Sequence, residues 1–244
     1  MSGTGPGCPP ARDAGAGALR RDRLATLPFV KTLQGTTRAA VVKALTLCTA
    51  EKHEQIIHER APADSVYLVI DGAVMAWKDR GPGDTQVTGF LFRGDLLGTL
   101  VGERYLYSAR AVVACQLARM ARTQLAELAD RHPDLRHALY GQVTSDFALA
   151  QDHLSMLGAL SADERLASAL LQFERRQRAR GVAEGVPVWV PMRRTDLASY
   201  LGLELPTLSR VFGRLRRDGV ISTPSTTDIK IHARDTLMRL SGDA

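Results

Sequence analysis

Residues 193–219 read RRTDLASYLGLELPTLSRVFGRLRRDG, and this stretch decides the fold of the C-terminal part of the chain. Its periodicity predicts a short helix over Thr195–Leu201, which ends at Gly202, and a second helix over about residues 204–219. Two helices that are joined by a short turn with a glycine are typical of a helix-turn-helix. The sequence therefore predicts a DNA-binding motif at about Arg193–Arg217.

The second helix, called the reading helix below, has two opposed faces at ~100° per residue. The apolar face contains Leu208, Val211, Phe212 and Leu215. The opposite face is small, polar and basic and contains Pro206, Ser209, Arg210, Gly213 and Arg217. Such a face suits a major groove, because no bulk blocks the approach and an arginine can donate two hydrogen bonds to a guanine. Ser209 and Arg210 are the candidates for base contacts, and an ordinary helix pair with a solvated basic face is the alternative.

Residues beside the reading helix complete the predicted DNA-binding site. Arg193, Arg194 and Thr195 begin the first helix, where amides and basic side chains can hold a phosphate. Pro206 is tolerated in a first helical turn, since its missing N–H needs no partner there. The segments Val220–Ser222 and Asp228–His232 predict a two-stranded wing. The candidate DNA-contacting residues are Arg193, Arg194, Thr195, Pro206, Thr207, Ser209, Arg210, Arg214 and Arg217.

A long apolar stripe precedes this region and predicts a dimerisation helix. Its members are spaced by three or four residues: Leu135, Leu139, Val143, Phe147, Ala150, Leu154 and Leu157. A helix of more than six turns with one narrow, uncharged stripe favours pairing with a second copy of itself. The alternative is that the stripe packs on the β-rich part of the same chain. A capping box at Ser161–Glu164 then starts a new helix, which is expected to run from about Ala162 to Arg180.

The first half of the chain is rich in short strand patterns. The dipeptide Asp71-Gly72 between Ser65–Ile70 and Ala73–Lys78 predicts a β-hairpin. Further strands are expected at Glu54–His58, Gln86–Phe92 and within Ser108–Met120, and short helices are expected at Leu27–Val30 and Thr37–Cys48. Several short strands at near-regular spacing predict a compact β-roll or barrel. The expected fold class is therefore α+β.

Composition sets the frame for these elements. The chain has 244 residues and a formal net charge of +6, which permits nucleic-acid binding and allows two modest domains. Neither a signal peptide nor a membrane-spanning run is expected, and the widely spaced Cys8, Cys48 and Cys115 favour neither a disulfide framework nor a zinc site. A reduced cytoplasmic setting is expected. The predicted organisation is a disordered tail at 1–22, a β-roll sensor domain at 23–125, a dimerisation helix at 126–158 and a winged helix-turn-helix at 159–244.

Taken together, these motifs resemble the family of the cAMP receptor protein and the fumarate–nitrate reduction regulator, the CRP/FNR family. The resemblance covers nearly the whole chain after the tail. It rests on Gly72, Val87-Thr88-Gly89-Phe90, Gly94-Asp95-Leu96-Leu97-Gly98, the long helix, Ala162-Asp163-Glu164-Arg165-Leu166-Ala167 and Arg194–Gly219. It implies a transcription regulator that binds a near-palindromic promoter site as a homodimer. The resemblance also implies contact with RNA polymerase through roll loops, for which Asp79–Asp84 is a candidate.

Departures from the family bear on the signal. Tyr105 and Leu106 take the places of an Arg-Ser pair that holds the cyclic phosphate in relatives, so cAMP is disfavoured. An iron–sulfur cluster needs four thiolates, and Cys8 together with Cys115, which is offset from the family's cysteine position, does not supply them, so no cluster is expected. The resemblance is closer to the FNR-like branch, although the cysteine cluster of that branch is missing. No cofactor is predicted, although haem binding through a histidine stays open. Pro206 replaces a family Glu that reads a cytosine.

No catalytic constellation stands out, so an enzyme is not expected. The alternative function is a ligand-, haem- or redox-responsive regulatory module whose DNA-binding part has altered or weak specificity.

Overall fold

A computed structural model describes residues 23–81, 84–99 and 102–242. The predicted tail with Cys8 and residues 82–83 of the loop Asp79–Asp84 lie outside the described residues. The chain divides into two compact units, Met1–Phe147 and Ala148–Ala244. The division falls inside one long helix, whereas the sequence placed boundaries after residues 125 and 158. None of the helices among the described residues is long and apolar enough to cross a membrane.

The first unit is a roll of two four-stranded sheets, as the strand patterns predict. Its strands are β1 Thr46–Ala50, β2 Gln55–Ile57, β3 Ser65–Asp71, β4 Ala73–Gly81, β5 Asp84–Phe92, β6 Leu96–Leu97, β7 Ser108–Ala111 and β8 Cys115–Ala121. One sheet has the order β1-β8-β3-β6 and the other has the order β2-β7-β4-β5, and all neighbours pair antiparallel.

Strand β3 explains how the roll is covered. Its residues Tyr67 and Val69 face the interior between the sheets, whereas Val66, Leu68 and Ile70 pack in a second apolar cluster. Three helices contribute side chains to that second cluster. They are Pro28–Lys31 with Phe29, Gly35–Ala44 with Val41, and Arg122–Arg131 with Leu128. Both faces of β3 are therefore buried, which accounts for its continuous apolar sequence.

The predicted hairpin at Asp71-Gly72 is wrong. Strands β3 and β4 belong to different sheets, and β4 forms its hairpin with β5 instead. Gly72 is the corner between the sheets, with φ +95° and an ideal Cβ position only 2.7 Å from both the carbonyl oxygen of Ala114 and the Sγ of Cys115. A glycine is required here for conformation and for space, and the same dipeptide would serve a hairpin.

Two helix predictions need correction. The helix expected over Thr37–Cys48 ends at Ala44, and Thr46–Ala50 is strand β1, because Cys48 and Ala50 pack into the roll interior while β1 pairs with β8. The helix expected over 126–158 is two helices, Arg122–Arg131 and Pro133–Ala159. The break lies at His132, with φ −128° and ψ 94°, because the residue before a proline avoids the helical conformation.

The second unit begins with the last turns of the long helix Pro133–Ala159 and contains the predicted helix-turn-helix. The support helix Ala162–Arg178 starts at a capping box, in which the Ser161 amide donates to the Glu164 carboxylate at 2.6 Å. The first helix spans Arg194–Leu201 and the reading helix spans Leu205–Arg217.

A small three-stranded sheet completes the second unit. The strands β9 Val188–Trp189, β10 Ile221–Ser222 and β11 Asp228–Ile231 take the order β10-β11-β9. Within Val182–Pro191, only Val188 and Trp189 are in a strand. A final helix at Arg234–Ser241, which the sequence did not predict, places Leu237 in the core.

Candidate DNA-binding site

The reading helix buries one face and exposes the other, as its period predicts. Leu208, Val211, Phe212 and Leu215 are buried. Pro206, Ser209, Arg210, Arg214 and Arg217 are exposed, and Thr207 and Gly213 are partly exposed. Gly202 makes the turn between the helices with φ +61°, a left-handed conformation that ends the first helix. The exposed face is therefore held by a buried one on a rigid element.

Arg210 is folded along its own helix rather than into a partner element. Its Nη2 donates to Thr207 Oγ1 at 3.0 Å, and its Nε lies 3.4 Å from the carbonyl oxygen of Pro206. These contacts are local and exposed, so the guanidinium can exchange them for a base edge at little cost. Ser209 stands beside it on the same exposed face.

The three basic candidates around the reading helix are committed to contacts within the chain. Arg193 donates to both carboxylate oxygens of Asp196 at 2.9 and 3.0 Å. The guanidinium of Arg194 lies 3.8 Å from the ring centroid of Phe212, and burial, followed by the charge of Arg216, lowers the pKa of Arg194. Arg214 pairs with Asp163 of the support helix, with Nε to Oδ1 at 2.9 Å.

These pairings shape the electrostatics of the surface. Arg193 and Arg214 keep part of their charge neutralised by a neighbouring carboxylate, whereas Arg217 is exposed at the end of the reading helix. Thr195 is exposed in the first turn of the first helix, where the amides point outward. Arg216, which is not among the predicted DNA-contacting residues, is also exposed in the last basic turn. Its position in an Arg-rich turn was a usable signal.

The wing has a self-supporting tip. The Ser225 hydroxyl accepts hydrogen bonds from the amides of Thr227 and Asp228 at 3.1 and 3.0 Å and donates to the Asp228 carboxylate at 2.6 Å. At the base, the Ser222 hydroxyl and the His232 Nε2 are 2.8 Å apart. The wing therefore stands as a short, ordered projection beside the reading helix.

Comparisons with known proteins find relatives that have the same two domains. The Crp-like helix-turn-helix domain matches residues 164–240, and the cyclic nucleotide-binding domain matches residues 47–132. The nitrogen fixation regulation protein FixK of Azorhizobium caulinodans is 36% identical over 83% of this chain and 82% of its own length. The transcriptional activator protein anr of Pseudomonas aeruginosa is 30% identical over 77% of this chain and 76% of its own length. The solved structure of FixK2 from Bradyrhizobium japonicum superposes with a TM-score of 0.75 and 30% identity over 80% of this chain and 96% of that one.

The chain belongs to the CRP/FNR family of transcription regulators. It is a DNA-binding regulator and not an enzyme. The resemblance that the sequence motifs indicated is confirmed, as are the β-roll and the winged helix-turn-helix.

The resemblance implies that relatives hold a cyclic phosphate in a cradle at the places that Tyr105 and Leu106 take in this chain. Tyr105 is buried, its hydroxyl donates to the carbonyl oxygen of Ser65 at 2.7 Å, and it accepts from the Ser65 amide at 3.1 Å. Burial, above all, raises the pKa of Tyr105 to about 12. Leu106 is 47% exposed. Neither side chain can neutralise a phosphate.

The two arginines beside this cradle have contacts of their own. The Nη1 of Arg104 donates to the carbonyl oxygen of Arg60 at 2.7 Å, and the guanidinium of Arg110 stacks 5.5 Å from the Trp77 ring centroid.

The cysteines of this CRP/FNR chain that the structure describes, Cys48 and Cys115, are buried in the roll interior and are not in a disulfide. Burial raises the pKa of Cys115 to about 11, and its Sγ donates to the carbonyl oxygen of Ala73 at 3.2 Å. A thiol in this state is a poor metal ligand, because the thiolate is the ligating form. Among residues 23–81, 84–99 and 102–242, no group of three or more His, Cys, Asp or Glu side chains could hold a metal ion.

The predicted dimerisation stripe divides into two parts. Leu135 is fully buried in the second apolar cluster of the roll, and Leu139 packs against that cluster. The prediction that Leu135 is a dimerisation residue is therefore wrong, because this side chain is buried inside its own unit. Phe147 and Leu154 are 62% and 63% exposed. The remaining members are Val143 and Leu157, which are partly exposed, and Ala150, which is exposed.

Tyr140, which is not a member of the predicted stripe, is 72% exposed. Tyr140, Phe147 and Leu154 are spaced by seven residues, and each is followed three residues later by Val143, Ala150 or Leu157. This is the spacing of a coiled-coil seam. The heptad step back from Phe147 was the signal that could have found Tyr140.

Proposed function

We propose that this regulator binds a near-palindromic promoter site as a homodimer and reads each half-site with Ser209 and Arg210. The single observation that carries the proposal is the exposed, locally bonded face of Arg210 on a reading helix whose opposite face is buried. The half-sites of such a dimer lie about one helical turn, ~34 Å, apart. Binding to promoter DNA also supports a location of the protein in the cytoplasm. It likewise supports a contact between exposed loops of the roll and RNA polymerase.

The exposed heptad Tyr140, Phe147 and Leu154 supports the dimer. Large apolar side chains at helical spacing rarely stay exposed on a helix unless a partner covers them. A parallel partner helix would cover all three, since they repeat at the same height on both copies.

The test is competition binding on promoter DNA with a matched pair of variants. Arg210→Ala removes the proposed base contact. Arg239→Ala is the control, because its Nη2 donates to Thr236 Oγ1 at 3.1 Å, the same local bond that Arg210 makes. Arg210→Ala should cost about 1–3 kcal/mol on the best site and relax the preference at one base pair. Arg239→Ala should bind like the wild type, and an unchanged Arg210→Ala profile would refute the assignment.

Pro206 supports a second element of specificity. It is exposed in the first turn of the reading helix and has no side-chain donor or acceptor. The half-site should therefore tolerate any base pair where relatives carry a Glu. Pro206→Glu should introduce a preference for a cytosine there, since a carboxylate accepts from the cytosine amino group. A site-selection experiment on random half-sites measures this, and identical logos for both proteins would contradict it.

We also propose that the signal is neither cAMP nor an iron–sulfur cluster. The hydroxyl of Tyr105 bonded to Ser65 and the protonated thiol of Cys115 support this proposal. The test is an absorbance spectrum of protein purified without air, together with DNA titrations with and without cAMP. A charge-transfer band would overturn the cluster part, a Soret band would establish haem instead, and tighter DNA binding with cAMP would overturn the nucleotide part.

A further inference from the structure

The guanidinium of Arg165 donates hydrogen bonds to backbone carbonyls at the ends of two helices. In the support helix, Arg165 donates from Nη2 to the carbonyl oxygen of Leu157 at 2.7 Å and from Nε to that of Leu160 at 2.8 Å. From Nη1 it donates to the carbonyl oxygens of Leu201 at 3.1 Å and Gly202 at 3.3 Å. The first pair of carbonyls ends the long helix and the second pair ends the first helix of the helix-turn-helix.

These carbonyls suit a planar cation. The last carbonyls of a helix have no intrahelical donor and carry the negative end of the helix dipole. Arg165 satisfies carbonyls at two helix ends at once, which needs several donors in a fixed fork, and a lysine ammonium cannot reproduce that fork. The fit is close, since an ideal Cβ on Gly202 would lie 3.2 Å from the Nη1 of Arg165 and 3.1 Å from Leu157 Cδ2.

The same turn of the support helix also reaches the reading helix. Asp163 lies two residues before Arg165 and pairs with Arg214 of the reading helix. One helical turn thus contacts the end of the long helix, the end of the first helix and the side of the reading helix. This turn is called the joint below and is defined by Asp163 and Arg165.

We propose that Arg165 is a positioning residue that fixes the helix-turn-helix on the last turn of the long helix and thereby sets the half-site spacing that the dimer reads. The inference rests on the proposed homodimer on a near-palindromic site. In that dimer the long helices join the two reading helices, so the angle at each joint determines whether both can bind at once. When the joint is loose, binding of one reading helix to its half-site does less to help the second reading helix bind. The reason is that the effective concentration of the second reading helix at its half-site depends on the geometry of the dimer.

The experiment uses the full chain and a set of DNA duplexes. One duplex carries a single half-site, and the others carry two half-sites at the best spacing and at spacings one and two base pairs longer or shorter. The variants are Arg165→Ala and Arg165→Lys, and the second keeps the charge if the first fails to fold. The stability-matched control is Ala169→Gly, a buried position of the same helix at which glycine lowers stability by weakening the helix.

The expected result is a change in spacing selectivity rather than in half-site affinity. Both Arg165 variants should bind the single half-site within about threefold of the wild type and lose about tenfold or more on the best two-site duplex. Their preference for the best spacing over the shifted ones should flatten. Ala169→Gly should keep the wild-type spacing profile at a similar loss of stability.

Three outcomes would overturn the inference. The first is a wild-type spacing profile in both Arg165 variants. The second is a parallel loss on the single half-site and the two-site duplexes, which describes a merely structural residue. In the third, the wild type itself shows no gain from a second half-site; the proposed dimer on a palindrome then fails, and the inference fails with it.

Discussion

Leu135 and Phe147 both belong to the apolar stripe that the sequence predicts, but only Phe147 is exposed, and we predict different consequences for their removal. Leu135 is fully buried in the second apolar cluster of the roll. Leu135→Ala should therefore lower the free energy of unfolding by about 3 kcal/mol, from the usual 2–5 kcal/mol of a buried leucine truncation. It should leave the dimer dissociation constant within about threefold of the wild type, since it contributes no exposed surface to a seam.

Phe147 is 62% exposed in the single chain, so a partner can still bury about two-thirds of it. Full burial of such a side chain is worth about 1.5–3 kcal/mol, which gives about 1–2 kcal/mol per protomer and about 3 kcal/mol for two rings. Phe147→Ala should thus raise the dimer dissociation constant by about 100-fold. The unfolding of the roll in the dissociated chain should hardly change.

Two measurements separate these effects. Sedimentation equilibrium gives the dimer constant, and urea unfolding at several protein concentrations gives the stability. The loss in Leu135→Ala should not depend on protein concentration. The loss in Phe147→Ala should be near zero where both proteins are dissociated and should grow with concentration as the wild type dimerises. The reasoning is refuted if Leu135→Ala dissociates the dimer while the roll keeps its stability, or if Phe147→Ala leaves the dimer constant unchanged.

Three further predictions concern single side chains. Gly72→Ala should lower the free energy of unfolding by about 2–4 kcal/mol in urea, because a Cβ there meets Cys115 Sγ at 2.7 Å and φ is +95°; a change near zero would show that the corner opens freely. Tyr105→Phe should lower it by about 1–2 kcal/mol, as the amide and carbonyl of Ser65 lose their hydroxyl partner, and a neutral result would contradict that bond. Burial lowers the pKa of His153 below its ordinary 6.5, so stability of the second unit is full above about 6.5 and falls as pH drops towards the folded value. Urea titrations from pH 7.5 to 5.5 should show this slope and its loss in His153→Gln, and an unchanged slope would assign it elsewhere.

Local chemistry explains why the helix-turn-helix was predictable. The capping box at Ser161, the left-handed Gly202 and the period of the reading helix each act over a few residues. For the DNA-contacting residues, the sequence could predict which face of the reading helix is exposed, but not which of its arginines are paired. Whether Arg214 already has a carboxylate partner depends on Asp163, which is 51 residues from Arg214 along the chain. No short-range pattern reports such a pairing.

The sheet corner shows a different limit. Asp71-Gly72 has the composition of a tight hairpin, and strands lie on both sides of it. A positive φ at Gly72 is needed in either arrangement. The decision depends on strand β8, which pairs with β3, and on strand β7, which pairs with β4, so the chain turns between two sheets instead of folding back. Pairing partners that lie more than 30 residues away outweigh the local signal.

The long helix shows why a correct periodicity can still give the wrong contact. A stripe with spacings of three and four residues is what a helix needs to pack on a sheet and also what it needs to pack on a copy of itself. This helix does both in succession, since Leu135 belongs to the roll core while Phe147 and Leu154 are exposed. The hydrophobicity of the sequence does not show where the helix stops packing on the roll, because each residue of the stripe is apolar in either role. That point becomes visible only through burial, which also brings Tyr140 into the seam, since an exposed tyrosine seven residues before an exposed phenylalanine has the same partner to find.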